Sequence, residues 1–372
     1  MREDTGIERG TRTSRLFAGF GLALLLLLIT APFYAGRSNL YLMVEIFCYL
    51  ALASLWNLLA GYTGLVSIGQ QAFVGLGGYA LFALTIFFGL PPILAVLVAG
   101  IIASALAVPT AFVIFRLKGA YFAIGTWVVA EVYRLAFAQI GALGGGSGTS
   151  LPAQIVLSIA PTRAARDELI YWTGLGLLVA VFAVTYFTLR SRWGLALTAI
   201  RDSEPAAESV GVDNYHTKFL IYFLTAGATG SVGALIYLQK LRISPDAAFS
   251  VNDWTAFVIF IVVIGGIGRL EGPLIGTIVF FLLRESFASL GPWYVMLLGT
   301  FAVVMTLTMP KGIAGLLAER LDIHLFPLRR RVYFQAQKGS DTYLSDAVER
   351  TRSGLRGQNS ERPAKDTSPP TS

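Results

Sequence analysis

Ten apolar segments, all but the short eighth and tenth near the length that crosses a lipid bilayer, constrain the fold of this 372-residue chain more than any other feature. A hydrocarbon core of about 30 Å needs about 20 mostly apolar residues in an α-helix. Charged residues make up only 14% of the chain, against about 25% in a soluble domain. We therefore predict an all-α, polytopic membrane bundle whose spans cover residues 16–36, 40–60, 65–88, 93–115, 120–140, 169–189, 219–238, 254–267, 273–290 and 293–308.

The basic residues indicate which ends of these spans share a side of the membrane. Of the 29 Lys and Arg residues, two lie inside spans, and most of the others lie in the N-terminus, the loops after even-numbered spans and the C-terminal tail. Because Lys and Arg are enriched in cytoplasmic loops, this pattern predicts that both termini are cytoplasmic. Five basic residues fall in the opposite loops: Arg37, Arg163, Arg166, Lys240 and Arg242.

Three regions follow from this organisation. Residues 1–15 form a basic cytoplasmic N-terminus, and residues 16–310 form the transmembrane domain with a long cytoplasmic loop at 191–218. Residues 311–372 form a basic cytoplasmic tail whose polar end we expect to be partly disordered. The protein is thus predicted to lie in the inner (cytoplasmic) membrane, in contact with lipid along its spans.

Several function classes lack the residues that they need. The single cysteine, Cys48, and two distant histidines, His216 and His324, provide no metal cluster. No lysine is followed by Ser or Thr, so the phosphate loop GxxxxGK[ST] is absent, and no catalytic motif such as GxSxG or HExxH occurs. We predict no enzyme activity, no cofactor and no metal, and we attribute the net charge of +7 to the cytoplasmic face rather than to nucleic acid.

Ionisable residues inside the predicted spans are costly and therefore informative. Glu131 and Arg134 are three residues apart, so they share a helix face and can form an intramembrane ion pair. Such a pair can fix helix packing or can contact a substrate directly, and a carboxylate such as Glu45 or Glu131 can also relay protons. Arg284 lies in the ninth span, where it can pair with a charge on another span.

A glycine-rich stretch at 61–80, GYTGLVSIGQQAFVGLGGYA, interrupts the apolar pattern. Small residues let membrane helices approach closely, which is the interpretation that we prefer, and they also permit a broken segment where protein or water shields it. Polar side chains in and before this stretch need hydrogen-bond partners, so we assign them to the translocation path or to packing: Asn57, Ser67, Gln70 and Gln71.

The loop at 191–218 contains the signals of a short helix. Ser203 can cap its N-terminus, Glu204 and Pro205 suit its first turn, and Gly211 can end it. Ala206, Ala207 and Val210 would form a small, smooth face. A helix of this kind can dock into a groove on a partner, or it can simply connect two spans.

Three stretches resemble the membrane subunits of branched-chain amino acid ABC importers, the LivH/LivM permease family, and most of all its LivM type. They are residues 55–80, residues 194–235 and residues 263–283. PAAESVG, at 205–211, is similar to the Ala-Ala-xxx-Gly segment through which ABC importer permeases contact their ATPases. Pro205 stands where the common pattern has Glu, and the tail after Lys311 lies outside the resemblance.

The resemblance implies an importer with a second, LivH-like permease subunit, two cytoplasmic ATPase subunits and a periplasmic or lipid-anchored substrate-binding protein. ATP would bind the partners, and this chain would form the path by alternating access. Urea or short-chain amides are alternative substrates within the family, and an ion-coupled secondary transporter is an alternative class. The residues implied in coupling to the ATPase are Arg201, Asp202, Ser203, Glu204, Ala206, Ala207 and Gly211.

Overall fold

A computed structural model describes residues 6–8, 12–287, 291, 293–309, 311–321 and 331–333. The chain divides into two compact units. In the first (residues 1–11 and 329–372), two short strands pair in antiparallel register. The second (residues 12–328) is helical. The predicted disorder of the tail concerns residues that lie mostly outside the described ones.

In chain order, the strands and α-helices are β1 (Gly6–Glu8), α1 (Arg12–Thr30), α2 (Arg37–Thr63), α3 (Gln70–Phe87), α4 (Pro92–Ile114), α5 (Ala120–Ala138), β2 (Thr149–Ser150), α6 (Ala153–Ile159), α7 (Arg163–Arg190), α8 (Arg192–Asp202), α9 (Glu204–Ser209), α10 (Asn214–Lys240), β3 (Arg242–Ile243), α11 (Pro245–Ala248), α12 (Phe257–Gly265), α13 (Gly272–Phe287), α14 (Trp293–Thr308), α15 (Gly312–Leu321) and β4 (Arg331–Tyr333). Short 3₁₀ turns follow α1 and α5, and a π-helix (Asn252–Ala256) precedes α12.

Seven helical segments among the described residues are long and apolar enough to cross a membrane. They contain α2, α3, α4, α7, α10, the run from α11 to α12, and α14 with the start of α15. The remaining predicted spans correspond to α1, α5 and α13. A polytopic helical bundle is therefore confirmed, whereas the count of ten spans stays a prediction.

The centre of the bundle is formed by α2, α3 and α10. Residues 47–63 of α2 are all buried, as are most residues of α3 and of the second half of α10. A helix that is apolar on all sides is stable only when other helices surround it, which is the situation of α2. Helix α10 packs along α4 and α3, and α7 packs along α2.

The loops that the charge pattern assigns to one side also meet in the structure. Nη1 of Arg201, at the end of α8, donates to the carbonyl oxygen of Gly61 (3.1 Å), and Nη1 of Arg269 donates to that of Ala314 (3.4 Å). At the other end, β2 pairs with β3 and so joins the loop before α6 to the loop after α10. The grouping agrees with the predicted sides, although which end is cytoplasmic stays a prediction.

Several span boundaries differ from those predicted, and two of the differences have an identifiable local cause. Helix α3 begins at Gln70 rather than at residue 65, because Gly64 adopts a left-handed φ of 75° and ends α2. The helical run of the eighth span begins at Pro245 rather than at residue 254. Its first part is a single helical turn followed by a π-helix. The π-helix contains the polar Asn252 and Asp253, which interrupt the hydropathy pattern, so this part was not predicted as a membrane span.

Candidate coupling segment and polar residues of the bundle

The short helix predicted in the 191–218 loop is present as α9. The Ser203 hydroxyl accepts a hydrogen bond from the amide of Ala206 (3.4 Å), which caps the N-terminus as predicted. At the other end, Gly211 has a φ of 86°, and the amide of Val212 donates to the carbonyl of Ala207 (3.0 Å). Side-chain capping and a left-handed glycine therefore define both ends of α9.

The smooth face of α9 is smaller than the sequence predicts. Ala206 and Val210 are exposed, Val210 by 77%, but Ala207 is buried, with an exposure of only 2%. Ala207 thus packs against this chain itself, and its role in coupling stays a prediction. The three residues do not share one outer face, since Ala206 and Ala207 are successive helical positions and lie about 100° apart.

The charged residues beside α9 hold the segment to the bundle. Arg201 bonds to Asp202 through Nε (3.0 Å) as well as to the carbonyl of Gly61. Glu204 forms an ion pair with Lys218, and its carbonyl oxygen accepts from Nδ2 of Asn214 (2.8 Å). Both contacts of Glu204 lead to the first turns of α10, so α9 is connected to one central helix, whereas Arg201 connects the end of α8 to α2.

The first turn of α10 is capped by the residue before it. The Asp213 carboxylate accepts from the amide of His216 (2.9 Å) and lies beside its ring. These hydrogen bonds lower the pKa of Asp213 below its ordinary value. The carboxylate therefore stays charged where it stabilises the helix N-terminus.

Asn57 and Ser67 are buried and bonded within the chain. Nδ2 of Asn57 donates to the carbonyl of Arg269, and its Oδ1 accepts from the amide of Gly268, both at 2.8 Å. The Ser67 carbonyl accepts from Nε1 of Trp56 (2.8 Å). These contacts tie the end of α2 to the turn between α12 and α13 and to the segment before α3.

Gln70 and Gln71, at the start of α3, have the same character. Nε2 of Gln70 donates to the carbonyl of Leu52 and to Oγ1 of Thr229, both at 3.3 Å. Oε1 of Gln71 accepts from the hydroxyl of Thr255. Of the two roles assigned to the four polar residues, these contacts favour packing, because the side chains of Asn57, Gln70 and Gln71 each bond to a distant element, and the hydroxyl of Ser67 accepts from the amide of Gly69 (3.1 Å).

The glycine-rich stretch at 61–80 combines both structural interpretations of its sequence. The helix is broken at Gly64, and residues 64–69 connect α2 to α3. Further along, a Cβ on Gly77 would overlap the carbonyl of Gly230 in α10, and one on Gly75 would overlap the ring of Phe249. The glycines of α3 therefore permit close helix contacts, as preferred from the sequence.

The predicted pair of Glu131 and Arg134 is present, with Nη2 of Arg134 2.6 Å from Oε1 of Glu131. The sequence did not reveal its third member, Asp246 on α11, whose Oδ1 lies 2.6 Å from Nη1 of Arg134. No spacing rule links residues so far apart in the chain. Glu45 is paired with Arg284 (2.7 Å) on another span, as the sequence allowed.

Comparison with known proteins identifies the family. The sequence model of the branched-chain amino acid transport system / permease component family matches residues 38–309, which is most of the chain. The chain belongs to this permease family. The resemblance seen in the sequence is thereby confirmed, and the protein is a multi-pass permease of the cell membrane and a transport subunit.

Two relatives carry the same description, "High-affinity branched-chain amino acid transport system permease protein LivM". The protein from Escherichia coli (strain K12) is 25% identical over 339 residues, which cover 85% of this permease and 79% of the relative. The protein from Salmonella typhimurium (strain LT2) is 24% identical with the same coverage. No solved structure matches this permease.

Proposed function

We propose that this permease is a membrane subunit of an ABC importer for branched-chain amino acids and that α9 couples it to a partner ATPase. The observation that carries the coupling role is the position of α9. It is a capped helix with exposed Ala206 and Val210, and Glu204 connects it to α10. Arg201, at the end of the adjoining α8, connects the same segment to α2. A push on α9 therefore reaches the centre of the bundle through short polar contacts.

The mechanism follows from these connections. ATP binds the partner subunits, and closure of the ATPase dimer moves α9 toward the membrane. Arg201 transmits this movement to the end of α2, and the Glu204–Lys218 pair transmits it to α10. Because α10 packs closely on α3 and α4, these helices move together and change which end of the path is open.

An ion-coupled transporter would need carboxylates that can take up and release a coupling ion. Glu45 and Glu131 are each bonded to an arginine in this structure. This pairing favours an external energy source over an ion gradient, in agreement with the ABC family.

Arginine substitutions on α9 test the proposed coupling. We expect Ala206→Arg to abolish leucine uptake and substrate-stimulated ATP hydrolysis when the chain is reconstituted with its ATPase and binding-protein partners. Thermal stability and membrane level should stay unchanged, because Ala206 is exposed. Ala207→Arg should also lower the melting temperature, since Ala207 is buried.

Gln154→Arg is the matched control, because Gln154 is exposed on a short helix at the opposite end of the bundle. It should retain uptake. Full uptake by an assembled Ala206→Arg variant would contradict docking through α9. Uptake of urea or acetamide instead of leucine would reassign the substrate within the family.

A further inference from the structure

We propose that Glu131, Arg134 and Asp246 bind the charged groups of a zwitterionic amino acid in the translocation path, and that the exposed face of α5 receives its aliphatic side chain. This inference rests on the proposed function as an amino acid importer. The translocation path is thereby assigned to the exposed face of α5 instead of to Gln70 and Gln71, which are buried.

The three charged groups are bonded yet accessible. The Arg134 guanidinium donates through Nε to Oε1 of Glu131 (2.9 Å) and through Nη1 to Oδ1 of Asp246 (2.6 Å). The side chains of Glu131, Arg134 and Asp246 are 44%, 28% and 78% exposed, respectively. A ligand can therefore reach all three groups.

Glu131 lies at the centre of an apolar stripe. Ile124, Val128, Glu131 and Leu135 follow one another at intervals of four, three and four residues, which places them on one face of α5. The three apolar members are each at least half exposed, and Trp127 beside them is 48% exposed. The face therefore offers charge and apolar surface next to each other, which is the combination found in leucine, isoleucine and valine.

Contact with lipid would be unfavourable for this face of α5. Glu131 is the twelfth of the 19 residues of α5 and lies about 10 Å from the C-terminal end of the helix, at 1.5 Å per residue. Helix α5 packs on α3 and α4, whose lengths and hydropathies suit a membrane span. An ionised carboxylate at such a depth needs protein or water beside it. We therefore place the aqueous path, rather than hydrocarbon, beside this stripe.

The charges of the triad fit a zwitterion. One guanidinium serves two carboxylates, so the three groups together carry a net charge of −1. An α-ammonium group compensates the excess carboxylate, while the α-carboxylate accepts hydrogen bonds from Arg134. Urea and neutral amides lack the carboxylate and would gain only part of these interactions.

The opposite side of α5 is held firmly. Oγ1 of Thr126 accepts from the amide of Ile68 (3.0 Å), and Gly69 approaches the backbone of Thr126 so closely that a Cβ would overlap it. Ala130 is buried. The start of the glycine-rich stretch thus positions the helix that carries Glu131.

Asp246 lies on a different element from its partners. It belongs to α11, which the π-helix connects to α12. A tilt of α12 would therefore change the distance between Asp246 and Arg134. This arrangement lets the site hold its ligand in one state of the transporter and release it in another.

Thiol labelling tests whether the face borders water. The wild-type chain provides the blank, because its single cysteine, Cys48, is buried. We expect Val128→Cys and Leu135→Cys to react with a charged, membrane-impermeant thiol reagent in the reconstituted transporter. Ile101→Cys, on the exposed apolar surface of α4, is the lipid-facing control and should not react.

Protection of these thiols then identifies the ligand. Leucine should slow the reaction, whereas leucinamide, which lacks the carboxylate, and 4-methylpentanoate, which lacks the ammonium group, should protect at least about tenfold less well. Unreactive thiols at both positions in every state, or cross-links from them to the second permease chain, would overturn the proposal. Equal protection by leucinamide would overturn the zwitterion assignment.

Charge removal provides the second test. Glu131→Gln and Arg134→Gln should each raise the leucine concentration for half-maximal protection at least about tenfold. Glu45→Gln removes an ion pair of similar length elsewhere and should change it less than about twofold. Wild-type values for both α5 variants would exclude the site, whereas absence of leucine transport by the wild-type transporter would instead contradict the proposed function.

Discussion

The same polar and small residue types occur in a membrane span whether they line a path or join helices. A buried polar group must form hydrogen bonds, and either water or protein can supply them. In this permease, Asn57 bonds to a turn that is distant in sequence, and Gln71 bonds to Thr255. The sequence identified which residues need partners, but only the packed helices show that the partners are protein groups.

Thiol accessibility distinguishes these roles at single residues. We expect Ser67→Cys and Gln71→Cys to resist charged thiol reagents in every state of the transporter, because both positions are buried. Val66→Cys is the neighbouring control, since Val66 is 49% exposed. Rapid labelling at 67 and 71 together would show that this segment borders the aqueous path after all.

Close helix contact at Gly77 can be measured as stability. Gly77→Ala places a methyl group against the carbonyl of Gly230, so α3 and α10 must separate. We expect a destabilisation of about 1–3 kcal/mol, typical of overpacking, seen as a lower melting temperature of the purified chain in detergent. Gly176→Ala, in a helix position with open space, should be neutral or slightly stabilising. A neutral Gly77→Ala variant would show that the contact is adaptable.

Individual elements show where local sequence signals are sufficient. Ser203 and Gly211 define α9 because capping and left-handed turns depend on a few adjacent residues. The same signals do not reveal which side of α9 faces the bundle, and so Ala207 was assigned to the wrong face. The irregular start of the eighth span was also missed, because a π-helix has no apolar period that a sequence pattern could reveal.

The left-handed turn at Gly211 should affect the local stability of α9 without affecting the rest of the bundle. Gly211→Ala should cost about 1–2 kcal/mol, because an L-residue is strained at a φ of 86°. Open space around Gly211 leaves no clash to add to this strain. We expect about tenfold or more faster hydrogen exchange at the amides of Val210 and Val212, with the melting temperature of the bundle unchanged. Glu208→Ala is the control, and unchanged exchange in the Gly211 variant would contradict a defined C-terminal turn.

For the whole molecule, the apolar segments predicted a helical membrane bundle because span length and hydropathy are properties of the chain itself. Contacts between spans were less accessible to prediction. The Glu131–Arg134 pair follows from helical spacing, whereas Asp246 and the Glu45–Arg284 pair depend on how distant helices are arranged. The β2–β3 pairing and the Arg201–Gly61 contact agree with the grouping of loops that the basic residues predict, and the sides themselves stay a prediction.

Labelling from each side of the membrane tests the absolute orientation of the protein. If the basic end is cytoplasmic, Gln154→Cys should react with an impermeant maleimide added to intact spheroplasts, because it lies at the β2–β3 end. Ser209→Cys, exposed on α9, should react only in inside-out vesicles. Ser372→Cys should label with Ser209→Cys if the span count is even. Labelling of Ser372→Cys together with Gln154→Cys would require an odd number of spans between α9 and the C-terminus, and therefore a different assignment of the last helices.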